Sequence, residues 1–214
     1  MLRCSTSLWS ADLGNLAAEM RRIEPYTERW HIDVADGHYV PTLLFFPDLV
    51  RSLRPHTQKP FEIHLLVNDP DAWIEPFVES GADGFILCRD SREDLGPALD
   101  AIERAGKYAG ISLTLEESLD RLEPYGARLS VITLVGTPMG IKGATGSDPS
   151  VPGKIERARS WLAERRFSCE IEIDGGIRRH TVPDFARAGA DWIVPGSLMF
   201  GSDPREMRQW LATL

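Results

Sequence analysis

Short apolar runs alternate with amphipathic stretches eight times along the chain, and this alternation restricts the fold more than any other feature of the sequence. The runs with strand character are Arg3 to Trp9, Trp30 to Val34, Phe61 to Val67, Gly84 to Cys88, Ala109 to Thr114, Leu129 to Val135, Cys169 to Asp174 and Trp192 to Pro195. Stretches with helical spacing lie between and after them: Asp12 to Ile23, Pro47 to Leu53, Asp71 to Ser80, Glu93 to Arg104, Glu117 to Leu122, Pro152 to Glu164, Thr181 to Ala188 and Pro204 to Leu211. Asp69-Pro70 and Asp203-Pro204 mark helix entries, with an acid near the positive end of the dipole and proline in the first turn. Eight βα units with short connections predict an α/β fold of the (β/α)8 TIM-barrel type. The rival, a doubly wound open sheet, needs strands that are apolar on both faces. Here Arg29, Glu62, Glu170 and Glu172 recur on one face, which suits a barrel interior with polar layers in which Arg29 offsets one of the glutamates. With 214 residues, 43% of them hydrophobic, and no Ser/Gly/Pro-rich linker, residues 1–214 are expected to form a single domain.

In such a barrel reactive groups belong at the carboxyl ends of the strands. Alternation along Arg29-Trp30-His31-Ile32-Asp33 puts His31 and Asp33 on one side, and the turn-forming Asp36-Gly37 ends that strand close behind them. Phe61-Glu62-Ile63-His64 and Glu170-Ile171-Glu172-Ile173-Asp174 repeat the design. His31, Asp33, His64 and Asp174 would therefore converge over one mouth as an N2O2 donor set, suited to a divalent Zn, Fe, Mn or Co ion rather than to a thiolate metal. A lone histidine is usually a hydrogen-bonded structural residue; the agreement of four such positions points to a site. His38, His56 and His180 fall in loops or near a helix start and read as solvated or capping residues, and Asp36 as a turn former.

Glycines supply a second signal. Asp174-Gly175-Gly176-Ile177 and Pro195-Gly196-Ser197-Leu198 follow the seventh and eighth strands, where a barrel of this kind commonly holds a phosphate. Backbone N–H groups approach an anion closely there, and a short helix beginning near Ser197 adds the positive end of its dipole.

A net charge of −8 without a dense Lys/Arg tract argues against nucleic acid or an anionic membrane as partner, although local donors still permit a small anionic substrate. Cys4, Cys88 and Cys169 are odd in number, widely spaced and without a Cys-x-x-Cys pair, so they read as buried thiols in a reducing cytoplasm. No long apolar leader opens the chain, and no run approaches membrane-spanning length.

Five segments, in this order and spacing, resemble the ribulose-phosphate 3-epimerase family over nearly the whole length: Leu8-Trp9-Ser10-Ala11-Asp12, His31-Ile32-Asp33-Val34-Ala35-Asp36-Gly37-His38-Tyr39-Val40-Pro41, His64-Leu65-Leu66, Asp174-Gly175-Gly176-Ile177 and Gly196-Ser197-Leu198-Met199-Phe200. The resemblance implies one divalent metal on His31, Asp33, His64 and Asp174, with Asp33 and Asp174 also acting as acid and base on opposite faces of a phosphorylated ketose. It implies that Ser10 touches the substrate, that Gly175, Gly176, Gly196 and Ser197 bind its phosphate, and that the protein self-associates as a homo-oligomer. Chemistry agrees: inverting a centre beside a ketone needs one group to take the proton from one face and another to return it from the other.

The chain departs from that family at the rim. Ala35, Leu66 and Leu134 stand near places usually held by methionine, Thr114-Leu115 replaces Asn-Pro, and Cys88-Arg89-Asp90 lacks a histidine. The Gly136 to Gly146 segment differs from the family's glycine-rich lid but keeps Gly140 and its neighbours, and Lys142 adds a cation. These changes leave open a ketose phosphate other than ribulose 5-phosphate. A sugar-phosphate lyase or decarboxylase on the same barrel would carry Asp-x-Lys-x-x-Asp, and Asp33-Val34-Ala35-Asp36 has no such lysine. A noncatalytic sugar-phosphate binder is the other alternative, and the intact four-ligand set argues against it.

Overall fold

The computed structural model describes residues 2–214. Eight strands, β1 (Arg3–Ser7), β2 (Arg29–Asp36), β3 (Phe61–Leu66), β4 (Gly84–Cys88), β5 (Tyr108–Leu113), β6 (Val131–Val135), β7 (Glu170–Asp174) and β8 (Trp192–Val194), pair in parallel in chain order. β1 joins both β2 and β8, which closes the (β/α)8 barrel. A two-residue strand, Leu43–Leu44, folds back antiparallel on the end of β2. The helices are α1 (Leu16–Ile23), α2 (Pro47–Leu53), α3 (Asp71–Glu79), α4 (Gly96–Arg104), α5 (Val151–Arg165), α6 (Val182–Ala188), α7 (Ser197–Phe200) and α8 (Pro204–Leu211).

The pleat sorts the strand residues. Ile32, Ile63, Leu65, Phe85, Leu87, Ile111, Ile132, Leu134, Ile171, Ile173 and Ile193 join helix residues such as Met20, Ile74, Leu99, Ile155 and Phe185 in one buried apolar cluster between barrel and helices. Many of the inward residues are polar, and buried polar groups require partners. Arg29 lies deep in the barrel with Nη2 2.9 Å from Glu62 Oε2 and 2.5 Å from Glu172 Oε2, so it offsets two glutamates rather than one. Ser5 Oγ donates to Glu62 Oε1 at 2.8 Å, Tyr108 OH to Glu62 Oε2 at 3.2 Å and Thr133 Oγ1 to Glu172 Oε1 at 2.9 Å. Glu170 shares this face but sits at the lower rim, part-exposed, bonded to Arg3 and to Trp192 Nε1.

Gly84 makes the packing of this column possible, because a Cβ there would fall 2.1–2.3 Å from three ring carbons of Tyr108. Gly84→Ala is therefore expected to destabilise the fold by about 1–3 kcal/mol through overpacking; a urea-melt midpoint equal to that of the wild type contradicts this packing.

Two expected elements differ. The Glu117 to Leu122 stretch forms only short 3-10 turns, Leu119–Leu122 and Gly126–Arg128, because Pro124 and Gly126 stop helix growth. Its free carbonyls are taken by the buried Lys154 of α5, whose Nζ donates to Leu115 O at 3.0 Å and to Glu117 O at 2.8 Å. The Asp12 to Ile23 stretch opens as a 3-10 turn, Leu13–Asn15, before α1 begins at Leu16.

Candidate active site

The register of β2 and β3 sets Asp33 opposite His64 and His31 opposite Glu62, and β7 brings Asp174 to the same height at the carboxyl ends. One ligand atom from each of His31, Asp33, His64 and Asp174 lies within 4.8 Å of all the others. His31 Nε2 is 3.3 Å from Asp33 Oδ1, 3.3 Å from His64 Nδ1 and 4.0 Å from Asp174 Oδ2. His64 Nδ1 is 3.5 Å from Asp33 Oδ1 and 3.7 Å from Asp174 Oδ2. Four donors around a tetrahedral ion at the usual bond lengths stand roughly 3.3 Å apart, so this set fits a divalent ion with little adjustment.

The flanking contacts aim both imidazoles. Glu62 Oε1, 3.0 Å from His31 Nδ1, accepts its proton and turns Nε2 toward the cluster. His64 Nε2 faces Ser112 Oγ at 3.1 Å, which leaves Nδ1 for the site. Ser7 Oγ donates to Asp33 Oδ2 at 2.8 Å.

The charges in the cluster depend on one another. Burial works against charge on His31, yet the adjacent Asp33 carboxylate holds it well above its ordinary value; burial likewise opposes charge on His64, but bonds to Asp33 and Cys88 push it up to about 10. Burial would raise Asp33, and the two imidazoles instead hold it below the usual carboxylate range. Asp174 stays above its ordinary value, because burial and the like charge of Asp33 outweigh the pull of His31 and His64. Two imidazoles that keep protons beside two carboxylates mark a place where positive charge is favoured. A second group of potential ligands, His31, Glu62 and Glu172, already has its cation in Arg29.

A cleft of about 180 Å³ opens above the cluster, lined by Ser10, Asp33, His64, Asp174, Gly175, Gly176, Gly196, Ser197, Gly140 and Lys142 among others. Every site residue singled out in the sequence thus faces one space except His31, which lies buried below it. Gly175 and Gly176 have φ of +86° and +69°, a conformation cheap only for glycine, and a Cβ on Gly196 would come 2.2 Å from Ser10 Oγ. The loop from Gly136 crosses the mouth, with Gly140 against Val40 and its carbonyl accepting from Thr42 Oγ1 at 3.3 Å.

Some rim residues are placed differently. Leu134 points outward to the helices, and Val135 faces the cleft. Arg89 turns away, stacks over Tyr125 and donates to Arg121 O at 3.0 Å, while the Thr114 backbone is tied to Glu117 at 3.0 Å. His38 and His56 are exposed, and His180 flanks Gly146 outside the cleft. Asp36 is a turn former, accepting from the backbone N–H of His38 and Tyr39 at 2.8 Å each. The sequence reading missed Arg178, Trp9, Thr137 and Met139 as lining residues. Arg178 carried a signal, a cation immediately after the glycine pair; Met139 carried none.

Comparison with known proteins agrees with this geometry. The model of the ribulose-phosphate 3 epimerase family matches residues 3–200. The chain is 33% identical over 208 residues to the cytoplasmic isoform of ribulose-phosphate 3-epimerase from Oryza sativa subsp. japonica, covering 96% of this chain and 90% of that protein. It is 30% identical to ribulose-phosphate 3-epimerase from Bacillus subtilis, with 96% and 95% covered. Among solved structures, 3-keto-L-gulonate-6-phosphate decarboxylase from Vibrio cholerae superposes with a TM-score of 0.72 at 13% identity, covering 100% of this chain and 95% of the other. A tryptophan synthase alpha-subunit mutant from Pyrococcus furiosus gives 0.69 at 14%, with 99% and 94% covered; both likenesses speak to the barrel alone. No helix among the described residues is long and apolar enough to cross a membrane. Matched along nearly its whole length by epimerases of plant and bacterial origin, the chain belongs to the ribulose-phosphate 3-epimerase family and is an isomerase.

Proposed function

We propose that this chain, as a single domain, inverts C3 of a phosphorylated ketose by proton transfer between Asp33 and Asp174, with D-ribulose 5-phosphate and D-xylulose 5-phosphate as the reference pair. One observation carries the reading: two carboxylates, Asp33 from β2 and Asp174 from β7, meet at the cleft floor with their oxygens within 4.8 Å of each other and of both imidazoles. In one direction Asp33 takes the C3 proton as general base. Asp174, reaching the cleft from the other strand, returns a proton to the opposite face as general acid. The reverse reaction exchanges the roles.

His31, Asp33, His64 and Asp174 are the residues that would hold a divalent Zn, Fe, Mn or Co ion. Such an ion supplies positive charge against the negative charge that develops on the substrate oxygens beside the reacting carbon. The backbone N–H groups of Gly175, Gly176, Gly196 and Ser197 receive the phosphate, Ser10 contacts the sugar, and Gly140 and Lys142 close over it. Leu66, packed with Ala35, gives the cleft an apolar wall that limits the sugar's size. The setting is cytoplasmic, the assembly a homo-oligomer, and nucleic acid and membrane are not partners.

The test is proton exchange in D2O. Purified enzyme given D-ribulose 5-phosphate is expected to place solvent deuterium at C3 while forming the xylulose epimer, read by NMR. Carbon–carbon cleavage instead makes the protein a lyase; phosphate-sugar binding without exchange makes it a noncatalytic binder. Dialysis against a chelator is expected to lower the rate about 100-fold or more, with recovery on adding one equivalent of a divalent ion per chain. Undiminished turnover after metal analysis reads zero removes the ion from the mechanism.

A further inference from the structure

Arg178 follows the glycine pair at the end of β7 and lines the cleft beside Gly175, Gly176, Gly196 and Ser197. It is half-buried and donates through Nη1 to Ile177 O at 2.8 Å and through Nη2 to Ala144 O. Among the described residues no carboxylate lies within 4.0 Å of it. Carbonyl oxygens satisfy N–H groups without cancelling charge, so the guanidinium stays cationic inside the cleft. Of its five N–H donors two are used, and the rest keep the planar fork that matches phosphate. Asp33 and Asp174 are the acidic lining residues among those described, and both belong to the metal-ligand cluster.

Arg178 also touches the loop that crosses the mouth. A Cβ on Gly176 would come 2.3 Å from Ser147 N and 2.5 Å from Gly146 C, so the loop's return limb sits directly on the glycine pair. The bond to Ala144 O fixes that limb from the side. One guanidinium thus binds the loop while lining the same cleft as the glycines.

We propose that Arg178 is a charged ligand of the substrate phosphate, holding the phosphate with one edge of its guanidinium and the 136–147 loop with another. This rests on reading the cleft as a ketose-phosphate site. The amides of the glycine loops then share the dianion with a side chain, and phosphorylated ketoses are favoured over free ones through this residue.

The experiment measures binding of inorganic phosphate by calorimetry, and kcat and KM for D-ribulose 5-phosphate and unphosphorylated D-ribulose, in wild type, Arg178→Gln and Arg178→Lys. Arg178→Gln is expected to weaken phosphate binding and raise KM for the phosphorylated sugar about 10- to 100-fold, with kcat within about threefold. Arg178→Lys recovers part of the loss, because it keeps the charge without the fork. The kcat/KM for D-ribulose falls about tenfold less than that for the phosphorylated sugar, since no phosphate is there to lose and only the loop bond is missing. Unchanged phosphate affinity in Arg178→Gln, or equal losses on both sugars, overturns the assignment and leaves Arg178 a loop anchor. Arg178→Met repeats the comparison if the glutamine variant folds poorly. A wild type that binds phosphate but does not epimerise removes the functional reading, and the calorimetric arm still decides the role of Arg178.

Discussion

Asp33→Asn and Asp174→Asn are each expected to lower interconversion of the two C3 epimers by about 10³-fold or more, since each removes one of the two groups on which inversion depends. The two variants should nevertheless differ. An enzyme left with one carboxylate can still lift the proton from the epimer whose C3–H faces it, exchange it with solvent and return it to the same face. Asp33→Asn should therefore keep deuterium wash-in on one epimer, and Asp174→Asn on the other. That split is the signature of two acids on opposite faces, and a lost metal ligand does not produce it. Asparagine preserves shape and offers a carbonyl oxygen, and metal content measured on each variant separates loss of the ion from loss of the proton carrier. Wild-type conversion in either variant removes that residue from proton transfer. Loss of exchange on the same epimer in both places the chemistry on one face and overturns the two-sided assignment.

The cluster at the strand ends is legible in the sequence because strand alternation is strict. Once Arg29, His31 and Asp33 share a face, and Glu62 with His64 and Glu172 with Asp174 do the same, closing the sheet brings their ends together. Where one residue of register matters, the reading slipped: Leu134 was assigned to the rim, and Val135 faces the cleft. Features that depend on partners distant in sequence were invisible. Gly84 is glycine because Tyr108 lies over it from the next strand, a relation of space rather than of backbone conformation. The absence of methionine at Ala35 and Leu66 suggested that soft side chains had gone from the site, but Met139 reaches the same wall from the loop, its Sδ 3.3 Å from Tyr39 OH and 3.9 Å from Cys88 Sγ. Loop residues have no periodicity, so their direction is set by partners. Arg89 finds the carbonyl of Arg121, whereas Arg178 finds that of Ala144 in the loop.

The second large effect belongs to the buried ion network. Arg29→Met keeps much of the side-chain volume but leaves Glu62 and Glu172 without their shared cation, and is expected to destabilise the fold by about 3–5 kcal/mol. Against a total stability on the order of 5–15 kcal/mol, that is a large fraction. The guanidinium lies 3.9 Å from the centroid of the Trp192 ring, so stacking is lost as well. The cost should depend on pH, with a definite sign. In the wild type, burial of Glu62 is overcome by Arg29 and His31, which hold it down at about 2, whereas burial and the like charge of Glu62 raise Glu172 to about 7 despite Arg29. Without Arg29 both carboxyls bind protons more tightly in the folded state, while their unfolded values are unchanged. The folded variant then carries more protons than the folded wild type wherever the wild-type groups ionise, above about 2 for Glu62 and above about 7 for Glu172. Each extra proton adds about 1.4 kcal/mol of destabilisation per pH unit, so the gap between the two proteins widens as pH rises. Urea unfolding of the metal-free proteins at pH 5 and pH 8 should therefore give the larger difference at pH 8. Adding Glu172→Gln to Arg29→Met should narrow the difference most at the alkaline end, because it removes the carboxyl that has lost its cation. A penalty that is flat or smaller at pH 8 means that Arg29 acts through packing on Trp192 rather than through charge.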